Sequence, residues 1–135
     1  MTLFVDTSVW SLAFRRDAPA ASPEVIALRL ALQQGELIVS TGLVLQEILQ
    51  GFVGAKAQED LVRHFAALPF INPSRKDHIE AAELRNHCRR NDVQLGTVDA
   101  LIAQLCIRNN VVLLSTDADF KHAARHCPLL NWSTR

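Results

Sequence analysis

The sequence predicts a layered α/β fold with its strands paired mainly in parallel. Three observations predict it. Short apolar runs of strand length recur at Leu3-Phe4-Val5, Leu37-Ile38-Val39 and Val111 to Leu114. Longer segments with helical periodicity separate them. Helix-start and helix-stop residues punctuate the joins. The chain of 135 residues suits one domain, 1–135, and its 49% apolar content is enough for a buried core.

Taken in order, Leu3-Phe4-Val5 ends at Asp6, and Thr7 or Ser8 can cap a helix through Val9, Trp10, Leu12 and Ala13. Ser22-Pro23-Glu24 reads as a capped helix start with proline in the first turn; that helix runs to about Gln34 and stops at Gly35. After the second strand, Thr41 is placed to cap a helix whose stripe is Val44, Leu45, Ile48, Leu49 and Phe52. Gly51 and Gly54 end it. A helix follows from about Ala55 to Ala67, and Pro69 stops it. Phe70-Ile71 is a short strand candidate. Helices are then expected from about Asp77 to Arg90 and from Thr97 onward, with Asn109-Asn110 as a turn. A short helix starts at Thr116 or Asp117, and Leu129 to Trp132 suits a last strand.

Composition narrows the function classes. Lys+Arg and Asp+Glu balance at 14 each, so net charge neither supports nor excludes a nucleic-acid binder; placement decides. The three cysteines are scattered, which argues against a disulfide framework and a cysteine zinc site, and Cys106 falls on an apolar stripe. His122 and His126 share a helix face beside Cys127, a pattern commoner for surface histidines than for zinc. No apolar run approaches a membrane span, and the Met1-Thr-Leu-Phe-Val-Asp start has no signal-peptide pattern; a cytoplasmic protein without membrane partners is expected.

Four carboxylates fall just after strands or near helix starts: Asp6, Glu47, Asp99 and Asp117. Taken singly, each has a plain structural explanation. Asp6 suits a turn, Asp99 a helix dipole, and Asp117 and Asp119 the cap and first turn of one helix. Glu47 stands roughly 130° from the centre of its helix's apolar stripe, and Asp99 about 110° from its own, so each faces either solvent or a cleft. Ligands of open parallel sheets bind at the carboxyl ends of the strands, where Asp6 and Ser115-Thr116-Asp117 lie.

Four segments carry a resemblance: Leu3-Phe-Val-Asp-Thr-Ser-Val-Trp10, Val44-Leu-Gln-Glu-Ile-Leu-Gln-Gly51, Gly96-Thr-Val-Asp-Ala-Leu-Ile-Ala103 and Leu113-Leu-Ser-Thr-Asp-Ala-Asp-Phe120. In order and spacing the chain resembles PIN-domain ribonucleases, and specifically the VapC-type toxins of toxin–antitoxin pairs. The resemblance covers nearly the whole chain. It implies a three-layer α/β/α sandwich around a mostly parallel sheet of four to five strands. It assigns Asp6, Glu47, Asp99 and Asp117 to catalysis, with Asp6, Asp99 and Asp117 holding metal. Ser8 and Thr116 match supporting hydroxyl positions, and Asp119 matches a position of variable role. Ser40-Thr-Gly-Leu43 departs from the family at a point where many relatives carry proline.

The implied activity is magnesium-dependent hydrolysis of RNA phosphodiesters, with manganese as a substitute. Hard cations take oxygen ligands and relieve the repulsion of crowded carboxylates. The resemblance also implies a VapB-like antitoxin, an RNA substrate and a homodimer. Arg15 and Arg16, on the segment after Asp6, are candidate RNA contacts. Two rivals remain: a catalytically silent PIN domain that only binds, and a phosphatase on a similar sheet. Asp6 is followed by Thr7-Ser8 rather than by a second aspartate two residues on, which disfavours the phosphatase. There is no phosphate-binding glycine loop or Walker lysine.

Overall fold

The computed structural model describes residues 1–15 and 22–134. Four strands form a sheet with the order β2-β1-β3-β4: β1 (Leu3–Val5), β2 (Ile38–Val39), β3 (Val112–Leu114) and β4 (Leu130–Asn131). All three pairings are parallel. Among the described residues there are seven helices: α1 (Thr7–Phe14), α2 (Pro23–Gln33), α3 (Gly42–Gly51), α4 (Ala55–Ala66), α5 (Arg75–Arg90), α6 (Thr97–Asn109) and α7 (Ala118–Ala123). Leu3, Phe4 and Val5 are all buried. Because successive strand residues point to opposite faces, both faces of the sheet are covered. The expected layered α/β/α architecture is present, with four strands. Phe70 contributes only an isolated parallel bridge to Ser40 rather than a strand.

The local signals explain most helix ends. Ser22 caps α2 by accepting from the Val25 amide, and Gly35 follows with φ of 69°. Asn110 ends α6 in the left-handed region, with φ of 52°. Two expected caps act elsewhere. Asp6, not Thr7 or Ser8, occupies the cap position of α1, and no side chain caps that helix. Thr41 sits at the cap position of α3, but its hydroxyl donates to the Ile71 carbonyl at 2.8 Å and ties the α3 entry to the next crossing of the sheet.

The main core cluster runs from the strands through Trp10, Leu28, Ile48, Phe65, Ile102 and Phe120, and a smaller one joins Ala81 of α5 to Leu101 and Leu105 of α6. Trp10 is 1% exposed and packs against Phe14, His64 and Phe65. It is a core residue, unavailable for stacking on a base. No helix among the described residues is long and apolar enough to cross a membrane.

The α5–α6 pair positions Asp99. Its tie is Asp77, 1% exposed, which in the sequence stands out only as a helix start. Asp77 Oδ2 accepts from the Ser74 amide at 2.8 Å and hydroxyl at 3.1 Å, closing a capping box. Asp77 Oδ1 accepts from Arg108 Nε, at the far end of α6, at 2.7 Å. Burial pushes the Asp77 carboxyl up. The Arg108 hydrogen bond, the Ser74 donors and the Arg108 charge outweigh it and hold the group below its ordinary value.

Replacing Asp77 with Ala is expected to cost about 2–3 kcal/mol at neutral pH, from a lost cap and a broken, partly exposed ion pair. The lowered folded pKa makes this contribution present above the unfolded pKa. It is lost as pH falls through the folded one. Urea denaturation of both proteins at pH 7 and in acid checks the loss and its disappearance.

Candidate active site

The parallel register aligns Val5 with Leu114, so the next residues, Asp6 and Ser115, emerge side by side. The Asp6 amide donates to the Leu114 carbonyl at 2.9 Å and holds that alignment past the strand ends. The chain crosses from β1 to β2 on one side of β1 and returns to β3 on the other. The crevice between β1 and β3 is therefore the switch point of the sheet, where open α/β sheets bind ligands.

Asp6 is 7% exposed. Its Oδ2 accepts from Ser8 Oγ and from Ser115 Oγ, both at 2.8 Å. The two hydroxyls are in turn fixed from outside. The Thr116 amide donates to Ser8 Oγ at 3.2 Å, and the Asp117 amide donates to Ser115 Oγ at 3.0 Å. Ser8 thus holds the Asp6 carboxylate in orientation. Thr116 contributes through its backbone N–H. Asp117 accepts the Asp119 amide at 2.9 Å, so it caps α7 while its charge faces the site. Glu47, exposed on α3, accepts from Thr7 Oγ1 at 3.0 Å, and this hydroxyl ties α3 to the start of α1.

Asp99, in the first turn of α6, lies at the centre of the field. Burial comes first, then the charges of Asp6, Asp117, Glu47 and Asp119, and together they push its carboxyl up to about 6. The other three sequence-predicted acids, with Asp119, therefore all act on Asp99. The ion pairs Lys56–Asp60, Arg63–Asp60, Lys76–Glu80 and Arg108–Asp77 do not draw on them. Beneath the site Cys106 is 1% exposed; burial, then the Asp6 charge, pushes its thiol well up, so it is an inert core group.

These donors suit a hard divalent cation: all are carboxylate or hydroxyl oxygen, and the mutual repulsion is what a cation relieves. Among the described residues no three His, Cys, Asp or Glu side chains close on one point.

Sequence reasoning missed Ser115 and Thr7 as site residues. The signal for Ser115 was its place immediately after the apolar run Val111 to Leu114, which only the neighbouring strand makes meaningful. Of the two arginine candidates, Arg15 is exposed at the far end of α1 from Asp6, one eight-residue helix or about 12 Å away. Arg16 lies outside the described residues.

Because its folded pKa is raised, Asp99 favours folding when protonated. That stability is fully present below the unfolded pKa and is lost as pH rises through about 6. Replacing Asp99 with Asn is expected to stabilise the metal-free chain at pH 7.5 by about 1 kcal/mol after solvent screening, a rise of roughly 3 °C in Tm. The gain should vanish near pH 4, which thermal unfolding at both pH values would show.

Comparison with known proteins agrees with this geometry. A profile of the PIN domain matches residues 3–126. Ribonuclease VapC11 of Mycobacterium tuberculosis is 31% identical over 125 residues, covering 91% of this chain and 92% of the relative. VapBC2 from Rickettsia felis, solved bound to a DNA fragment from its promoter, superposes with a TM-score of 0.71 at 23% identity, covering 98% of this chain and 100% of that one. VapC20 of M. tuberculosis, described as a sarcin-ricin loop cleaving toxin, superposes with a TM-score of 0.69 at 19% identity over 94% of this chain and 98% of that one. The match over nearly the whole chain, together with acids clustered at the β1/β3 switch point, places this protein in the PIN-domain family, with VapC ribonucleases as its relatives.

Proposed function

We propose that this chain is the toxin of a VapC-type toxin–antitoxin pair, an endoribonuclease that hydrolyses RNA phosphodiester bonds with a divalent cation, magnesium by preference. The observation that carries the reading is the set of interacting carboxylates around Asp99 at the sheet's switch point. The naming of VapC11 as a ribonuclease supports it. The solved VapBC2 complex supports a VapB-like antitoxin as partner. A homodimer is part of the same proposal.

Asp6, Asp99 and Asp117 would hold the cation, directly or through water. When bound, it supplies a lowered pKa for an attacking water and charge stabilisation for the phosphate. The rest falls to the protein. The Ser8 and Ser115 hydroxyls fix the Asp6 carboxylate in one orientation. Glu47, steadied by Thr7, is exposed and able to orient the incoming water and take its proton. The water oxygen then bonds to phosphorus, the bond to the 3′ oxygen breaks, the departing oxygen takes a proton from solvent, and Glu47 returns its own to solvent. The products are a 3′-hydroxyl and a 5′-phosphate.

Asp6→Asn should lower RNA cleavage by at least about a hundredfold, and Ser115→Ala, which only orients Asp6, by about ten- to a hundredfold. Single-turnover cleavage of total RNA with magnesium, and with EDTA as control, measures both. Full activity in Asp6→Asn would sink the site assignment. A wild-type chain that cleaves no RNA under any divalent cation would favour the binding-only PIN domain instead.

A further inference from the structure

Next to the acidic site is a cavity of about 440 Å³ that the catalytic reading does not use. Its walls are Arg85, Arg89, Gln94, Leu95, Gly96 and Asp119. Two relations place it against the reaction centre. Asp119 is one of the charges acting on Asp99, and a Cβ added at Gly96 would lie 3.9 Å from Asp99 Oδ2. The cavity therefore begins where the carboxylates end.

Its opposite wall is cationic. Arg85 and Arg89 are four apart on α5, on one face of the helix. Arg85 Nε donates to the Leu95 carbonyl at 3.0 Å. That bond fixes the plane of the guanidinium and leaves its two terminal nitrogens as donors. At the other end of the α5–α6 pair the cations are consumed internally: Lys76 pairs with Glu80, and Arg108 with Asp77. Neither arginine joins an ion pair with a described acid, Asp119 across the cavity included. A plain alternative is that basic residues in the last turn of α5 only complement the helix dipole. Arg90 fits that description, because it belongs to the same turn and does not line the cavity. Arg85 lies a turn earlier and is aligned by Leu95, which the dipole does not require.

We propose that Arg85 and Arg89 form a phosphate-binding subsite that seats the RNA backbone phosphate next to the scissile one. This inference rests on the ribonuclease reading above. Its chemistry follows from the chain's charge balance. With 14 acids against 14 bases and several acids concentrated at the reaction centre, an RNA strand must be drawn in by cations placed beside the cluster. The guanidinium fork matches phosphate oxygens, and its orientation by a backbone carbonyl lowers the cost of ordering it. A strand held there crosses Gly96, where the lack of a side chain leaves the path to Asp99 low.

The test uses the full-length chain carrying Asp99→Asn, so that a fluorescein-labelled single-stranded RNA oligonucleotide of mixed sequence binds without being cut. Arg89→Glu in that background should weaken binding about tenfold and lower the slope of log Kd against log salt by about 0.7 for each phosphate left unneutralised. Arg90→Glu, one residue along and outside the cavity, should change both by less than half as much. Arg89→Lys should restore the salt slope but only part of the affinity, because a point charge lacks the guanidinium fork. In the active protein, Arg89→Glu should raise KM while the magnesium concentration giving half-maximal cleavage stays the same. Equal effects of Arg89→Glu and Arg90→Glu would mean a diffuse field and overturn the subsite, as would an unchanged salt slope. A wild-type chain that binds RNA without cleaving it would sink the ribonuclease reading, and the binding comparison between Arg89 and Arg90 would still decide the subsite.

Discussion

The parallel alignment of β1 with β3 is the constraint on which the rest of the site depends. Once Val5 stands opposite Leu114, Asp6 and Ser115 have no choice but to leave the sheet together. The hydrogen bond from the Asp6 amide to the Leu114 carbonyl carries the ladder one residue further, to the point where chemistry begins. Everything else is added around that pair. α1 brings Ser8 and Thr7, α3 brings Glu47, α6 brings Asp99, and the loop after β3 brings Asp117. A slip of one residue in this pairing would turn Asp6 to the opposite face and dissolve the cluster.

Gathering carboxylates is unfavourable, and the protein treats its two most buried site acids differently. Asp6 is given two hydroxyl donors at 2.8 Å, each fixed by a backbone amide from the β3 loop. Asp99 is pushed up to about 6, by its burial first and then by the charges of the others. The strain is local because its support is not. Asp77, far from the site on α5, is satisfied by Ser74 and Arg108 and locks α5 to α6, so Asp99 is presented on a helix that cannot back away. Stability and the proposed function thus fall to two aspartates at opposite ends of one helix pair.

Much of this was legible in the sequence. The alternation of short apolar runs with helical stripes foretold the layered parallel sheet, and Ser22-Pro23 and Asn110 marked their helix ends by local chemistry alone. The four acids were visible as strand-end or helix-start residues, though each alone had a structural explanation that the structure partly upholds: Asp117 does cap α7. What stayed hidden were relations across the chain. Ser115 matters through a partner 109 positions away, Thr7 through one 40 away, and Asp77 through one 31 away. No periodicity in a single segment encodes which strand lies beside which. The caps expected from Thr7 or Ser8 and from Thr41 failed because other groups engage those hydroxyls: Glu47 takes Thr7 and the Ile71 carbonyl takes Thr41, while Ser8 turns to the adjacent Asp6 and accepts from the distant Thr116 amide.

Burial and the neighbouring acids converge on Asp99, and the proposed cation would relieve that strain. An NMR titration of the Asp99 side-chain carboxyl carbon in the metal-free protein, repeated with saturating magnesium, measures this directly. The expected result is a midpoint near 6 without metal and a large downward displacement with it. A midpoint in the ordinary aspartate range, unmoved by magnesium, would contradict it.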